Sequence, residues 1–213
     1  MLYWNTVNSL LKDCLIKLMQ ANELKDFRLV GGTALSLYMG HRLSIDIDLF
    51  TDAEYGSVNF EKIEEFLQNR FSYVQADFGA KAGMGKSYLI GTDPEDVVKL
   101  DLYYSMDPFF QDAVVIDGLR IATVEEIIAM KIDVVQRGGR KKDFWDLHEV
   151  LNTYSIENMI DLHKKRFLYT HDKLLIQQNF INFAKADLDF DPICLKGNYW
   201  EFIKEDIVEA VTQ

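Results

Sequence analysis

Two aspartates stand where carboxylates are seldom placed. In SIDIDLF (44–50), Asp46 and Asp48 interrupt apolar residues that otherwise read as a buried strand, and charged side chains are rarely buried without a partner or a metal. Residues two apart in a strand point to one face, about 7 Å apart along the chain. Asp46 and Asp48 therefore share one face, and Ile45, Ile47 and Leu49 the other. Carboxylates side by side repel unless something positive lies between them, and Mg2+, a hard cation preferring oxygen ligands, suits that position. VVKLDLYY (97–104) repeats the pattern with one carboxylate, Asp101. A third carboxylate on a neighbouring strand would complete a two-metal site, where ions about 3.5–4 Å apart clamp the attacking and leaving oxygens of an in-line displacement. Upstream, Gly31-Gly32-Thr33 falls where a strand gives way to a helix. Glycines let the backbone approach closely, and the N–H groups of a helix start favour a phosphate. Each feature also has an ordinary reading: a half-exposed edge strand, a strand-face carboxylate, a tight turn.

The elements that must position these residues are legible from periodicity and punctuation. Val7, Leu10, Leu11, Cys14, Leu15 and Leu18 fall at helical spacing, predicting an amphipathic helix over 5–21. FRLV (27–30) reads as a strand ending at the glycines, and TALSLYMG as a helix closed by Gly40. A helix follows over 59–71, then strands near 73–78, 86–90 and 97–105, and a hairpin VVIDGLRIA whose Asp-Gly is a strong turn signal. From Thr123 the patterns are helical only. TVEEIIAMKIDVVQR opens with a capping box, GGRK interrupts, KDFWDLHEVLN resumes, and helices are expected at about 155–168, 172–186 and 199–211. The expected architecture is α+β: residues 1–120 as an α/β catalytic part with a mixed sheet flanked by helices, and 121–213 as a helical part packed against it.

At 213 residues, with 48% hydrophobic and 13% aromatic content, the chain can bury a sizeable core and lies outside the disordered class. A formal charge of −11 excludes a globally basic nucleic-acid footprint, so a phosphate-bearing partner needs a metal or a local basic patch. Lys131, Arg137, Arg140, Lys141 and Lys142 supply such a patch around Gly138-Gly139. The two cysteines, Cys14 and Cys194, suit a reducing compartment, and His148, His163 and His171 show no paired metal spacing. With no signal-peptide pattern and no apolar run near 18 residues, the expected location is the cytoplasm.

In combination, the glycine turn, the acidic pair on the next strand and a later strand carboxylate resemble the layout of the polymerase-β-like nucleotidyltransferase superfamily. More closely, GGTALSLYMGHRLSIDIDLF resembles the AbiEii/AbiGii family, toxin components of type IV toxin–antitoxin systems, whose members carry GGTAL and then HR-x-S-x-DIDL. AMKIDVVQRGGRKKDFWDLHEVL looks like the family's later motifs, a helix lysine (Lys131) and a Lys/Arg-Asp-x-x-Asp-Leu element (Lys142, Asp143, Asp146, Leu147). The likeness is legible to about residue 155. It implies Mg2+-dependent transfer of a nucleoside monophosphate from an NTP to an acceptor hydroxyl, on RNA, tRNA or protein, and an antitoxin partner. Asp46, Asp48 and Asp101 would hold two metal ions, Gly31, Gly32 and Thr33 would cradle phosphates, and Lys131 would reach the triphosphate. Asp143 would pair with Lys131 or contact nucleotide, and Arg42 would orient a phosphate or brace the acidic strand, while Asp146 reads as structural. The alternatives are a non-catalytic member that binds nucleotide or a partner, a nucleotidyltransferase for small molecules, and a metal-dependent nuclease or phosphatase that leaves the GGT turn and Lys131 idle.

Overall fold

The computed structural model describes residues 1–212. Helix α1 (Ser9–Gln20), capped by the Asn8 side chain on Leu11 N, precedes strand β1 (Arg28–Val30). Helix α2 (Gly31–Met39) starts at the residue after that strand and ends at Gly40, whose φ of 66° is the left-handed closure expected of a glycine. Strand β2 (Asp46–Thr51), helix α3 (Phe60–Arg70) and strands β3 (Tyr73–Gln75), β4 (Gly85–Asp93) and β5 (Asp96–Tyr104) follow. The hairpin of β6 (Val114–Ile116) and β7 (Leu119–Ile121) turns on Asp117 and Gly118, both at positive φ.

All seven strands form one mixed sheet in the order β3-β4-β5-β2-β1-β7-β6. Central β2 runs antiparallel to β1 and parallel to β5. The hydrophobic pattern sets the register: Ile47 pairs with Leu100 and Leu49 with Leu102, and all four are buried behind α1. The opposite face of β2 then presents Asp46, Asp48 and Phe50, each half-buried. Ile45, expected on the apolar face, precedes the strand and is 73% exposed, because strand alternation begins only at Asp46.

The change to helices falls after Ile121, the last residue of β7. Helix α4 (Val124–Gln136) packs on α2, and so does α5 (Lys141–Val150). Between them Gly138 and Gly139 take φ values of 103° and 54°. A Cβ at Gly139 would lie 2.6 Å from the Phe144 ring, so the reversal needs a glycine for both conformation and space. The expected capping box forms by half. Thr123 caps Glu126 N at 3.3 Å, but the buried Glu126 carboxylate turns to the loop after β5, accepting from Phe110 N, Gln111 N and Arg166 Nη1. Helices α6 (Ile156–Arg166), α7 (Lys173–Phe180) and α8 (Trp200–Thr212) complete the chain, with Trp145 and Trp200 stacked at 6.4 Å between α5 and α8. Among the described residues, no helix is long and apolar enough to cross a membrane.

Candidate active site

The exposed face of β2, the start of α2 and the α4–α5 junction enclose a cleft of about 870 Å³. Its floor carries Gly31, Gly32, Asp46 and Asp48. The glycines explain how a helix start, a carboxylate and a guanidinium share so little space. Gly31 has φ 71°, and a Cβ there would lie 2.6 Å from Asp48 Oδ2; one at Gly32 would collide with Arg42 Nη2. Val30, the residue before α2, offers no side-chain cap, so the first N–H groups of the helix are left for another acceptor.

Asp48 pairs in register with Val30 on one side and Asp101 on the other. The Asp48 carboxyl is pushed above the usual carboxylate range, first by burial and then by the charges of Asp101 and Asp46; Lys131 and Lys142 offset only part of this. Neither Asp46 nor Asp48 makes an ion pair among the described residues. Asp101 does: Ser87 Oγ donates to its Oδ1 at 2.6 Å and Lys99 Nζ to its Oδ2 at 2.5 Å. Asp101 also stays outside the cleft lining. No group of three or more His, Cys, Asp or Glu side chains among the described residues stands arranged to hold a metal ion.

Thr33 does not present its hydroxyl to the cleft. It is buried, donating to the Asp46 carbonyl and bonded to Ser44 Oγ at 2.7 Å, and so fastens α2 to the acidic strand. Lys131 also differs from a free phosphate ligand. Its side chain is 7% exposed, and Nζ lies 2.6 Å from Asp143 Oδ1 and 2.7 Å from Asp146 Oδ2. Arg42 closes the same network, with Nε and Nη2 donating to Asp146 Oδ1 and Oδ2 at 2.6 and 2.8 Å, while His41 Nε2 lies 2.7 Å from Oδ1. Arg140 donates to Asp143 Oδ2 from Nε at 3.0 Å. Asp146, expected to be structural, anchors this network. It joins His41-Arg42 to helices α4 and α5, which periodicity alone could not reveal.

Lys142 emerges as the cation facing the acidic pair. It lines the cleft, and among the described residues its ammonium has no ion pair or hydrogen bond. Its pKa is lowered by burial and by the neighbouring charges of Arg140 and Lys131. The sequence held one signal for it: two lysines at a helix start oppose the helix dipole. Lys141 resolves the conflict through Asp191 at 2.8 Å, and Lys142 does not. The cleft is also lined by the apolar side chains of Phe50, Met130 and Phe167 and by Arg166, which contacts Glu126 and donates to Ser105 Oγ at 2.7 Å. The histidines without metal spacing in sequence do meet in part, His163 Nδ1 and His171 Nδ1 lying 2.8 Å apart.

The fold defines the class. The chain is similar to JHP933 from Helicobacter pylori, with a TM-score of 0.61, 19% identity and coverage of 99% of this chain and 90% of that one. It is similar also to MenT4, a nucleotidyltransferase toxin from Mycobacterium tuberculosis H37Rv, with a TM-score of 0.59, 15% identity and coverage of 95% and 82%. At these identities the likeness is one of fold, and the fold is that of nucleotidyltransferases. In sequence, the uncharacterized protein aq_aa25 of Aquifex aeolicus (strain VF5) is 26% identical over 205 residues, covering 91% of this chain and 90% of that protein. The chain belongs to the nucleotidyl transferase AbiEii toxin family of type IV toxin–antitoxin systems, which matches residues 13–213. The likeness therefore extends well past residue 155, through helices α6 to α8, where no motif of chemically distinctive residues had made it legible.

Proposed function

We propose that this nucleotidyltransferase of a toxin family transfers a nucleoside monophosphate from an NTP to an acceptor hydroxyl of RNA, tRNA or protein, releasing pyrophosphate in the cytoplasm under the control of an antitoxin. The observation that carries the reading is the unpaired Asp46–Asp48 pair facing a cleft directly beneath the glycine start of α2. Burial and like charge leave Asp48 short of a cation, and oxygen donors of this kind fit Mg2+. Asp46 and Asp48 would hold the ions, joined by Asp101 once its carboxylate turns from Lys99. A divalent ion held there by these carboxylates would supply positive charge against the triphosphate and lower the pKa of the acceptor hydroxyl.

The chain's own groups do the positioning. The N–H groups at Gly31 and Gly32 donate to the phosphate end of the nucleotide, and Lys142 neutralises it as a point charge. Arg42, fixed by Asp146, braces the glycine turn from below. Lys131 acts one step back, holding Asp143 and Asp146 in place. The apolar side chains of Phe50, Met130 and Phe167 along the cleft would pack against the base and ribose. Rate enhancement at such a site is mostly orientation and electrostatics.

Incubating the protein with each labelled NTP, Mg2+ and total RNA or lysate is expected to label one acceptor class, and to label none when EDTA is present. Absence of any Mg2+-dependent labelling or nucleotide binding would favour a non-catalytic member. Lys142→Ala is expected to raise KM for the NTP about tenfold, the effect of losing one charge-assisted hydrogen bond of roughly 1.5 kcal/mol, with kcat changed much less. Steady-state kinetics on the labelled acceptor read this directly.

A further inference from the structure

The three strand carboxylates are unequal. Lys99 lies two residues before Asp101 on β5, so both project to one face, and across the strand boundary Lys99 pairs in register with Asp46. Its ammonium occupies Asp101 Oδ2, while Ser87 on neighbouring β4 occupies Oδ1. Both oxygens of the third carboxylate are therefore taken by the protein itself, while the Asp46 and Asp48 carboxylates have no ion pair among the described residues. The other lysines nearby are committed elsewhere or stand apart from Asp101: Lys86 is paired with Glu64, Lys131 with Asp143 and Asp146, and Lys142 makes no ion pair among the described residues.

Resting on the metal-dependent reading above, we infer that Lys99 is an internal counter-cation that latches Asp101 in the metal-free protein and is displaced when a divalent ion binds, so that Lys99 sets the metal affinity of the site. The geometry suits a latch that can open. The Lys99 side chain is 49% exposed and Asp101 17%, so the ammonium can return to water. Exposed pairs of this kind are held by only about 0.2–1 kcal/mol, which a divalent ion bound by several carboxylates exceeds. In the closed state the ammonium sits on Asp101 and beside Asp46 in register, and so offsets part of the repulsion among the three carboxylates. It thereby protects an acidic cluster that is otherwise poorly compensated.

The test is Mn2+ binding to the full chain without nucleotide, measured by titration calorimetry and by the electron paramagnetic resonance signal of free Mn2+. Lys99→Met is expected to bind Mn2+ about two- to fivefold more tightly than the wild type, the factor corresponding to loss of an exposed pair. Lys99→Arg, which keeps the latch, is expected to stay within a factor of two of the wild type. Measurable Mn2+ binding that is unchanged or weaker in Lys99→Met overturns the latch and leaves the nucleotidyl-transfer reading standing. No Mn2+ binding in either protein overturns both. Thermal melts of each variant confirm that the compared proteins are folded.

Discussion

Asp48→Asn abolishes nucleotide transfer, by at least about a thousandfold, and in metal-free buffer melts at the same temperature as the wild type or a few degrees higher. The first expectation follows from position. Asp48 lies on the central strand between β1 and β5, lines the cleft and touches the space that a side chain at Gly31 would occupy. An amide there cannot supply the charge that holds a cation against a triphosphate, and losing one preorganised electrostatic group typically costs 10²–10³ in rate before any metal is lost. The second expectation follows from the raised Asp48 pKa, caused by burial and then by Asp101 and Asp46. A carboxyl whose folded pKa lies above its unfolded value destabilises the fold when ionised, and that cost disappears as pH falls through the folded value. The melting advantage of Asp48→Asn is therefore present at neutral pH and closes in acid, where the wild-type group is itself neutral. About 1 kcal/mol corresponds to roughly 2–4 °C in a chain of this size. Calorimetric melts across a pH series, run beside the labelling assay, check both halves. A variant that transfers nucleotide at wild-type rates overturns the assignment, and one that melts much lower makes Asp48 structural.

The glycine turn and acidic pair were legible because their chemistry is local. A strand of period two puts Asp46 and Asp48 on one face whatever surrounds it, and the paired-strand register then delivers Asp101 beside Asp48. The roles of Thr33, Lys131 and Lys142 were not legible for the opposite reason. Each depends on which long-range partner reaches it first. Thr33 meets Ser44 and the Asp46 backbone, Lys131 meets two carboxylates from α5, and Lys142 meets no partner among the described residues. The Glu126 carboxylate shows the same contest within a motif: local sequence proposes a capping box, and the 105–111 loop with Arg166 takes the side chain instead. Element types and their order survive such contests because burial of whole faces fixes them. Individual polar roles do not.

The buried network at Asp146 carries the second large effect. Asp146→Asn is expected to cost about 3–5 kcal/mol, the range for breaking a buried ion pair by removing one partner, and to lower the melting temperature by roughly 10 °C. Asp146 is fully buried and receives Arg42 through two nitrogens, Lys131 and His41. An asparagine can accept from one of these but leaves two cations facing a neutral amide, in a place water does not reach. Burial alone would raise the Asp146 pKa, yet Lys131 and Arg42 hold it well below the usual carboxylate value of 3.8. A depressed folded pKa contributes stability that is fully present above the unfolded value and is lost as pH falls through the folded one. The gap between wild type and variant is therefore widest near neutral pH and narrows only in strong acid, the reverse of a surface pair, whose small contribution fades with salt. Because Arg42 braces Gly32 and Lys131 fixes Asp143, the loss should reach the cleft before it unfolds the chain. At temperatures where Asp146→Asn is still folded, transfer is expected to fall about tenfold or more, and NTP binding to weaken with it. Urea unfolding gives the stability term, and nucleotide titration on the folded variant gives the other; a cost under 1 kcal/mol would mean that the site relaxes around the amide and that Arg42 and Lys131 are held by something besides Asp146.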